Sequence, residues 1–562
     1  MSQKRADMWD RLGGEVDLLV IGGGITGCGV ARDAARRGLS VVLCEMNDFA
    51  YGTSSRSSKL VHGGLRYLEH YEFSLVFEAV SERRILLDIA PHLVNPLGFL
   101  FPVYNDSARK LWFINAGMWL YDGLSLFRSP KLHTTLKPDE VREQEPALNC
   151  DDLSGAPLYY DCSTDDARLT LENALDAAKA GAVVASWAKV KSFVKDEQAR
   201  VVGAMVEDQV SGAIKEVRAH AVVNCTGPWT DRTVAMSKAL SSGPLLRPTK
   251  GVHIVVDRDK LPLTNAVVAQ HPKDKRVLFG IPWGDRTYIG TTDTDYRGDP
   301  GDVAATLEDV DYLIEASAAY FPNHRLSRDD VIATWAGLRP LMAPIGSGSD
   351  IDESAVSREH QIIVGQDGLI TIAGGKLTTY RRMAAEVVDN ALKLLRLGNH
   401  KPKNLKACET AEEPLPGAVG WPEDDDHAAV AEQVQEASNG RLDDDVARHL
   451  ANTYGMRGLE LARRVAKDEA LGARLVEGRP EVLVQVDWAC EEELATRLVD
   501  VMVRRTQLFY RDHDQGLGAV PVVADRMAEL LGWDDARKEA EVAGYQDEVR
   551  LSRAWREEVA AG

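Results

Sequence analysis

Residues 16–22 (VDLLVIG) form a mostly apolar, partly β-branched run that ends in glycines. An Ala-rich stretch of helical spacing follows to residue 37, and after Gly38 a second apolar run covers 40–44 and ends at Glu45. That order predicts a strand–turn–helix–strand unit of about 30 residues. A Ser/Thr/Gly-rich loop spans 52–64, and helical periodicity returns over 73–89 until Pro91 stops it. Residues 97–160 alternate apolar-aromatic with polar, Pro-containing segments, as part of another domain would. A helical pattern over 167–180 then precedes short alternating strands that reach Asn224. Strand patterns recur over 252–291 and 331–338, separated by a helix near 305–320. An apolar strand at 369–373 runs into Gly374-Gly375, and a helix follows to about residue 395. Between 398 and 426, Pro and Glu accumulate without periodicity, which predicts a linker. The remainder reads as helical and acidic, and no internal repeat is present. The pattern predicts an α/β cofactor domain, an interleaved mixed-sheet domain and a helical C-terminal domain.

Composition narrows this picture. At 562 residues the chain has room for about three or four structural units. With 44% hydrophobic and 27% charged residues it is an ordinary globular chain, which excludes disordered, collagenous and coiled-coil readings. Sixty-six basic against 86 acidic residues give a net charge of −20, which argues against a nucleic-acid partner. Seven cysteines without a C-x-x-C pair or zinc-like His spacing predict reduced thiols, a cytoplasmic location and no metal site. Asp7, Asp10, Glu15 and Asp17 interrupt any signal-peptide core. The longest near-apolar run, 111–127, contains Asn115 and Asp122 and is too short to span a bilayer. Its aromatics and its flanks Arg109, Lys110 and Arg128 suit a membrane interface; the same pattern also suits a buried helix.

Gly22-Gly23-Gly24-Ile25-Thr26-Gly27 supplies G-x-G-x-x-G directly after a strand. Such glycines permit a tight turn and close backbone approach, with the helix N-terminus facing a pyrophosphate. Glu45 stands where a carboxylate accepts from ribose hydroxyls, and an acid there disfavours NADP. The fingerprint alone does not separate NAD from FAD. Two features favour FAD: hydroxyl donors in the loop Thr53-Ser54-Ser55-Arg56-Ser57-Ser58-Lys59, and a glycine-led helix start at Gly374-Gly375-Lys376-Leu377-Thr378-Thr379. The dipole of that helix suits negative charge on a reduced flavin.

Beyond G-G-G-I-T-G, the ordered motifs S-S-K-L-V-H-G-G-L-R-Y-L-E-H-Y-E-F (57–73), D-D-A-R-L (165–169), N-C-T-G-P-W (224–229) and K-G-V-H-I-V-V (250–256) are present. G-I-P-W (280–283), I-G-T-T-D-T-D-Y-R-G-D-P (289–300), G-L-R-P-L (337–341) and G-G-K-L-T-T-Y-R (374–381) follow. Together they resemble the FAD-dependent, membrane-associated glycerol-3-phosphate dehydrogenases over about residues 15–400, and more loosely to V-R-R-T-Q-L (503–508). The resemblance implies an α/β plus α fold. In it, a glutathione-reductase-type, Rossmann-like FAD domain is interleaved with a mixed-sheet substrate domain of the D-amino-acid-oxidase kind, and a C-terminal all-helical domain caps both. Boundaries are expected at 14–90, 160–245 and 340–397 for the FAD domain and 91–159 and 246–339 for the substrate domain. A linker over 398–425 and the helical domain over 426–562 complete the chain.

The implied reaction is oxidation of sn-glycerol 3-phosphate to dihydroxyacetone phosphate, with hydride to FAD and electrons on to a membrane quinone. A glycerol-3-phosphate oxidase, an amine or amino-acid oxidase of the same fold and a non-catalytic flavin-binding module are the competing readings. Peripheral attachment to the cytoplasmic membrane is implied, and a homodimer is allowed. Arg66, Arg339 and Lys376, with Arg358 as a further candidate, suit the phosphate or the alcohol oxygen, and Tyr67 suits a substrate hydrogen bond. The general base falls on His62 or His253, between which the sequence does not choose. The implied cofactor contacts are Gly22, Gly24, Gly27, Glu45, Thr53, Ser54, Ser57, Ser58, Gly63, Gly64, Gly227, Gly375, Leu377 and Thr378.

Overall fold

The structure, a computed structural model, describes residues 5–65, 68, 71–125, 130–238, 243–343 and 360–561. The strand Glu15–Ile21 is buried from Leu18 onward, as a strand covered on both faces must be. It pairs in parallel with Val41–Cys44 on one side and Ile214–Asn224 on the other, and the helix Ile25–Arg36 joins the first two, as the sequence pattern predicts. The sheet order is Gln361–Val364, Ile370–Ala373, Ile214–Asn224, Glu15–Ile21, Val41–Cys44, Val183–Ala185. The antiparallel strands Ala188–Lys195 and Val201–Asp208 extend it beside the first half of Ile214–Asn224.

Helix Ile25–Arg36 packs between helices Asp166–Lys179 and Tyr380–Leu397 in one apolar cluster. Being covered on two sides, it buries even Arg32, which pairs with Asp176 at 2.7 Å and donates to the carbonyl of Glu413. A buried arginine is tolerated only because each donor finds an acceptor.

The second sheet, of eleven strands among the described residues, runs from Thr294–Asp295 through Leu246–Asp257, Arg286–Gly290, Val277–Trp283, Ala266–Gln270 and Val94–Leu100 to Leu153–Thr164 and Leu60–Val61. Strand alternation sorts its two faces. Val252, Ile254 and Val256 meet Val310 and Leu313 of the helix Leu307–Tyr320. His253 and Val255 point the other way, toward Trp335 and Tyr288, and there Val255, Tyr288 and Trp335 share a core with Met502, Phe509 and Tyr510 of the C-terminal segment. The helices from His427 to Ala561 therefore close one face of the second sheet and add a core of their own around Leu450, Tyr454 and Trp488.

Within the expected loop over 52–64, a short strand Leu60–Val61 pairs with Leu153–Thr164. Two residues are too few to register as a strand pattern, so sequence spacing does not reveal it. No helix among the described residues is long and apolar enough to cross a membrane.

Candidate functional site

The two sheets meet at the loop 52–59. Thr53 Oγ1 donates to the carbonyl of Leu338 at 2.6 Å, Trp335 Nε1 to that of Ser57 and Tyr288 OH to that of Ser58. Beside this junction lies a cavity of about 700 Å³. Gly22, Gly24, Glu45, Thr53, Ser54, Ser57, Gly227, Gly375, Lys376 and Leu377 line it, so ten of the residues singled out from sequence converge on one space. Its size suits an elongated organic cofactor.

Two glycines show why the chain needs them there. A Cβ on Gly27 would stand 1.8 Å from the carbonyl oxygen of Gly22, so this glycine lets helix and strand approach closely without itself lining the cavity. Gly375 has φ +90°, and a side chain there would strike Met383.

Glu45 is buried at the cavity wall and accepts from the amides of Gly23 at 2.6 Å and Asn47 at 2.8 Å. Burial outweighs those two bonds and pushes its carboxyl up to about 7. The N-cap Gly24 brings no side-chain cap of its own to the helix Ile25–Arg36, and Ser54 Oγ accepts from the Ile25 amide at 2.9 Å. A carboxylate, an uncrowded helix N-terminus and a room of this volume fit the ribose and pyrophosphate of a dinucleotide. Among the lining residues Lys189, Lys191, Arg232 and Lys376 are basic and Glu45 alone is acidic. A chain of net −20 thus gathers positive charge at this place.

The loop hydroxyls expected to face the cofactor serve the protein in large part. Ser57 Oγ donates to Asp166 at 2.7 Å, whose other oxygen takes Lys59 Nζ at 2.7 Å. Ser58 Oγ lies 2.9 Å from His253 Nε2. Thr378 Oγ1 bonds both the amide and the carbonyl of His62, which brings His62 beside Lys376 and Leu377. The next residue, Gly63, gives its amide to Asp161 at 3.0 Å, and Asp161 is itself held by Arg83 and Tyr121. Gly64 has φ +75° and is buried.

His253 is 3% exposed, stacked on Trp335 with centroids 4.7 Å apart, and is not among the lining residues. Burial above all, and then Arg339 and Lys59, hold its imidazole well below the ordinary histidine range, so it stays neutral. Arg339 is half-buried and paired with Asp293 at 2.8 Å, and it also donates to Thr291 Oγ1 at 2.9 Å. Asp293 stands inside the segment I-G-T-T-D-T-D-Y-R-G-D-P, and its partnership with Arg339, 46 residues on, is visible only in the folded chain. Arg66, Tyr67, Arg358 and Arg128 lie outside the described residues.

A doubly covered, largely parallel sheet with a glycine-turn cavity, joined to a mixed sheet at the cavity edge, defines a dinucleotide-dependent oxidoreductase. Residues 17–381 match the family model described as FAD dependent oxidoreductase, and residues 408–538 that described as the C-terminal domain of alpha-glycerophosphate oxidase. The aerobic glycerol-3-phosphate dehydrogenase of Staphylococcus saprophyticus is 38% identical over 98% of this chain and 96% of its own. Glycerol-3-phosphate dehydrogenase 2 of Mycobacterium tuberculosis is 40% identical over 99% and 93%. The structure of the glycerol-3-phosphate dehydrogenase from Bacillus halodurans complexed with FAD superposes with a TM-score of 0.79 at 33% identity, covering 98% of this chain and 97% of that one. The chain belongs to the FAD-dependent oxidoreductases and, among them, to the glycerol-3-phosphate dehydrogenase family.

Proposed function

We propose that this chain oxidises sn-glycerol 3-phosphate to dihydroxyacetone phosphate and delivers the electrons to a membrane quinone from the cytoplasmic face. The observation that carries the reading is the cavity in which Gly22, Gly24, Glu45 and the Gly375–Leu377 segment, with its Lys376, meet Lys189, Lys191 and Arg232. Relatives named glycerol-3-phosphate dehydrogenase, 38–40% identical over nearly the whole chain, support the substrate.

Bound FAD supplies the hydride acceptor. Lys376 and Arg339 hold the phosphate or the C2 oxygen through charge-assisted bonds. As hydride leaves C2, His62 takes the hydroxyl proton; its half-buried position, tied through Thr378 to the segment whose Lys376 and Leu377 line the cavity, supports this role over His253. His253, neutral and backed by Ser58, shapes the wall behind. Glu45, Gly22 and Gly24 hold the adenosine half of the cofactor.

Membrane contact is proposed for the helix Leu111–Leu124. It buries Met118 and Tyr121 but exposes Trp112 (71%), Phe113 and Trp119 (61%), with Arg109 and Lys110 at its start. It packs on the helix Phe73–Ile89, which exposes Phe73 and Phe77, as does Tyr71 just before it. Exposed aromatics beside basic residues suit the headgroup region.

The test is an anaerobic visible spectrum before and after glycerol 3-phosphate. The flavin band should bleach and return with a quinone analogue; a yellow protein that the substrate does not bleach refutes the reading. Because residues 408–538 match an oxidase-derived family model, the second reading is an oxygen-reducing oxidase, and rapid recovery in air with peroxide identifies it.

A further inference from the structure

The C-terminal helical segment reaches the cofactor cavity through one buried ion cluster. Asp48 lies three residues beyond Glu45 and is fully buried. Arg505 grips it with a fork, Nη1 to Oδ2 at 2.7 Å and Nη2 to Oδ1 at 3.0 Å, and Arg504 Nε adds a contact at 2.5 Å. Both arginines sit on the π-helical turn Asp500–Arg505 and are 3% exposed. Asp500, on the same turn, accepts from Arg504 at 3.1 Å and from Trp187 Nε1 at 3.1 Å.

These contacts end just behind the cavity wall, on Asp48 and Trp187, whose neighbours Asn47 and Ala188 line it. Backbone bonds tie the segment 45–50 to its neighbours: Trp187 N to Asn47 O, Ala188 N to Glu45 O and Ala50 N to Gly23 O. Ala188, Asn47 and Glu45 line the cavity. The Arg504 guanidinium also lies 5.9 Å from the centroid of the Tyr51 ring, another lining residue. A turn from the far end of the chain thus fixes both segments that flank Glu45.

Stability alone is a poor reason for such a cluster. Removing such charges from water costs about what their attraction returns, and apolar packing of the same volume does as well. What an aspartate between two arginines does supply is geometry, because the guanidinium fork fixes position and orientation together.

We propose that Arg504 and Arg505 are cofactor-positioning residues: by clamping Asp48 they hold the Glu45–Tyr51 loop in the shape that receives the adenosine end of FAD, and so make the C-terminal helical segment part of the cofactor site. The proposal rests on the placement of the dinucleotide in the 700 Å³ cavity.

The test uses the full-length holoprotein and follows release of FAD by its fluorescence to obtain a dissociation constant. Arg505→Lys, which keeps the charge but loses the fork, is expected to weaken FAD at least tenfold. At saturating FAD its KM for glycerol 3-phosphate should stay within twofold of the parent. Arg526→Ala removes the Asp487 pair within the C-terminal helices, away from the loop, and serves as the stability control. It should lower Tm and leave the FAD constant unchanged. Should Arg505→Lys not accumulate as folded protein, Arg504→Lys carries the same expectation. Glu45→Gln is measured in parallel. If Glu45→Gln weakens FAD and Arg505→Lys does not, this inference fails while the cavity assignment stands; if neither does, both fail. If Arg526→Ala loosens FAD as much as Arg505→Lys at equal loss of Tm, the clamp is merely structural and the proposal is overturned.

Discussion

Ser58 Oγ and His253 Nε2 stand 2.9 Å apart and join the loop that lines the cavity to the strand behind it. The other ring nitrogen, Nδ1, is buried and has no hydrogen-bond partner among the described residues. The environment therefore suits an uncharged imidazole and penalises a charged one.

This has a pH signature. In the unfolded chain His253 titrates near 6.5, whereas in the fold its pKa lies well below that. The unfolded state then binds the extra proton as pH falls under about 6.5, and stability drops, by at most about 1.4 kcal/mol per pH unit for one group. Calorimetry between pH 7.5 and 5.5 should show the parent losing Tm more steeply than His253→Phe, which keeps the stack on Trp335. Equal slopes for the two proteins would remove the depressed histidine.

Glu45 carries the opposite shift. Its folded carboxyl titrates at about 7 against 4.5 unfolded, so the apo fold favours the protonated acid and loses that stability as pH rises through 7. FAD binding reverses the preference, because ribose hydroxyls donate best to a carboxylate. FAD affinity should accordingly rise from pH 6 to pH 8. Glu45→Gln should flatten that rise and weaken binding at pH 8 about tenfold to 100-fold, from about 1.5–3 kcal/mol for a charged hydrogen bond. A flavin titration at three pH values decides it.

Arg339 is pinned by Asp293 at 2.8 Å and so is presented in a set direction. Arg339→Ala should cut kcat/KM for glycerol 3-phosphate about tenfold to 100-fold with flavin still bound, on the same energetic ground. Asp293→Asn keeps the guanidinium but loosens it, and a smaller loss is expected. Stopped-flow bleaching of the flavin band gives both values; loss of flavin in Arg339→Ala would place the residue elsewhere.

Trp112 and Trp119 expose most of their surface on one helix. Replacing both by Ser should lower co-sedimentation with anionic vesicles at least tenfold, since burying one large apolar side chain is worth about 1.5–3 kcal/mol. Turnover with a water-soluble electron acceptor should not change. Undiminished sedimentation would move the membrane contact away from this face.

The cofactor end of the site was legible in the sequence because it is built locally. The strand before Gly22, the helix after Gly24 and the acid at Glu45 lie within one strand–helix–strand unit, and periodicity and glycine placement encode such a unit directly. The substrate end drew its candidates from ordered motifs, which named His62, His253, Arg339 and Lys376 without saying which face each would take. Only the assembled sheets decide that His253 is buried against Trp335 while His62 sits beside Thr378.

The helix Leu111–Leu124 shows the same limit. Its apolar composition is equally that of a core helix, and Trp112 is exposed because no described residue packs over it, not because of its own pattern. The sequence by itself determined the glycine turn and the carboxylate after the second strand, since each depends on neighbours in the chain. Tertiary structure alone decided the pairing of Arg339 with Asp293 and of Asp48 with Arg504, the latter 456 residues apart. The physical reason is that a buried charge is satisfied by whatever the fold brings within about 3 Å, and no local periodicity records that meeting.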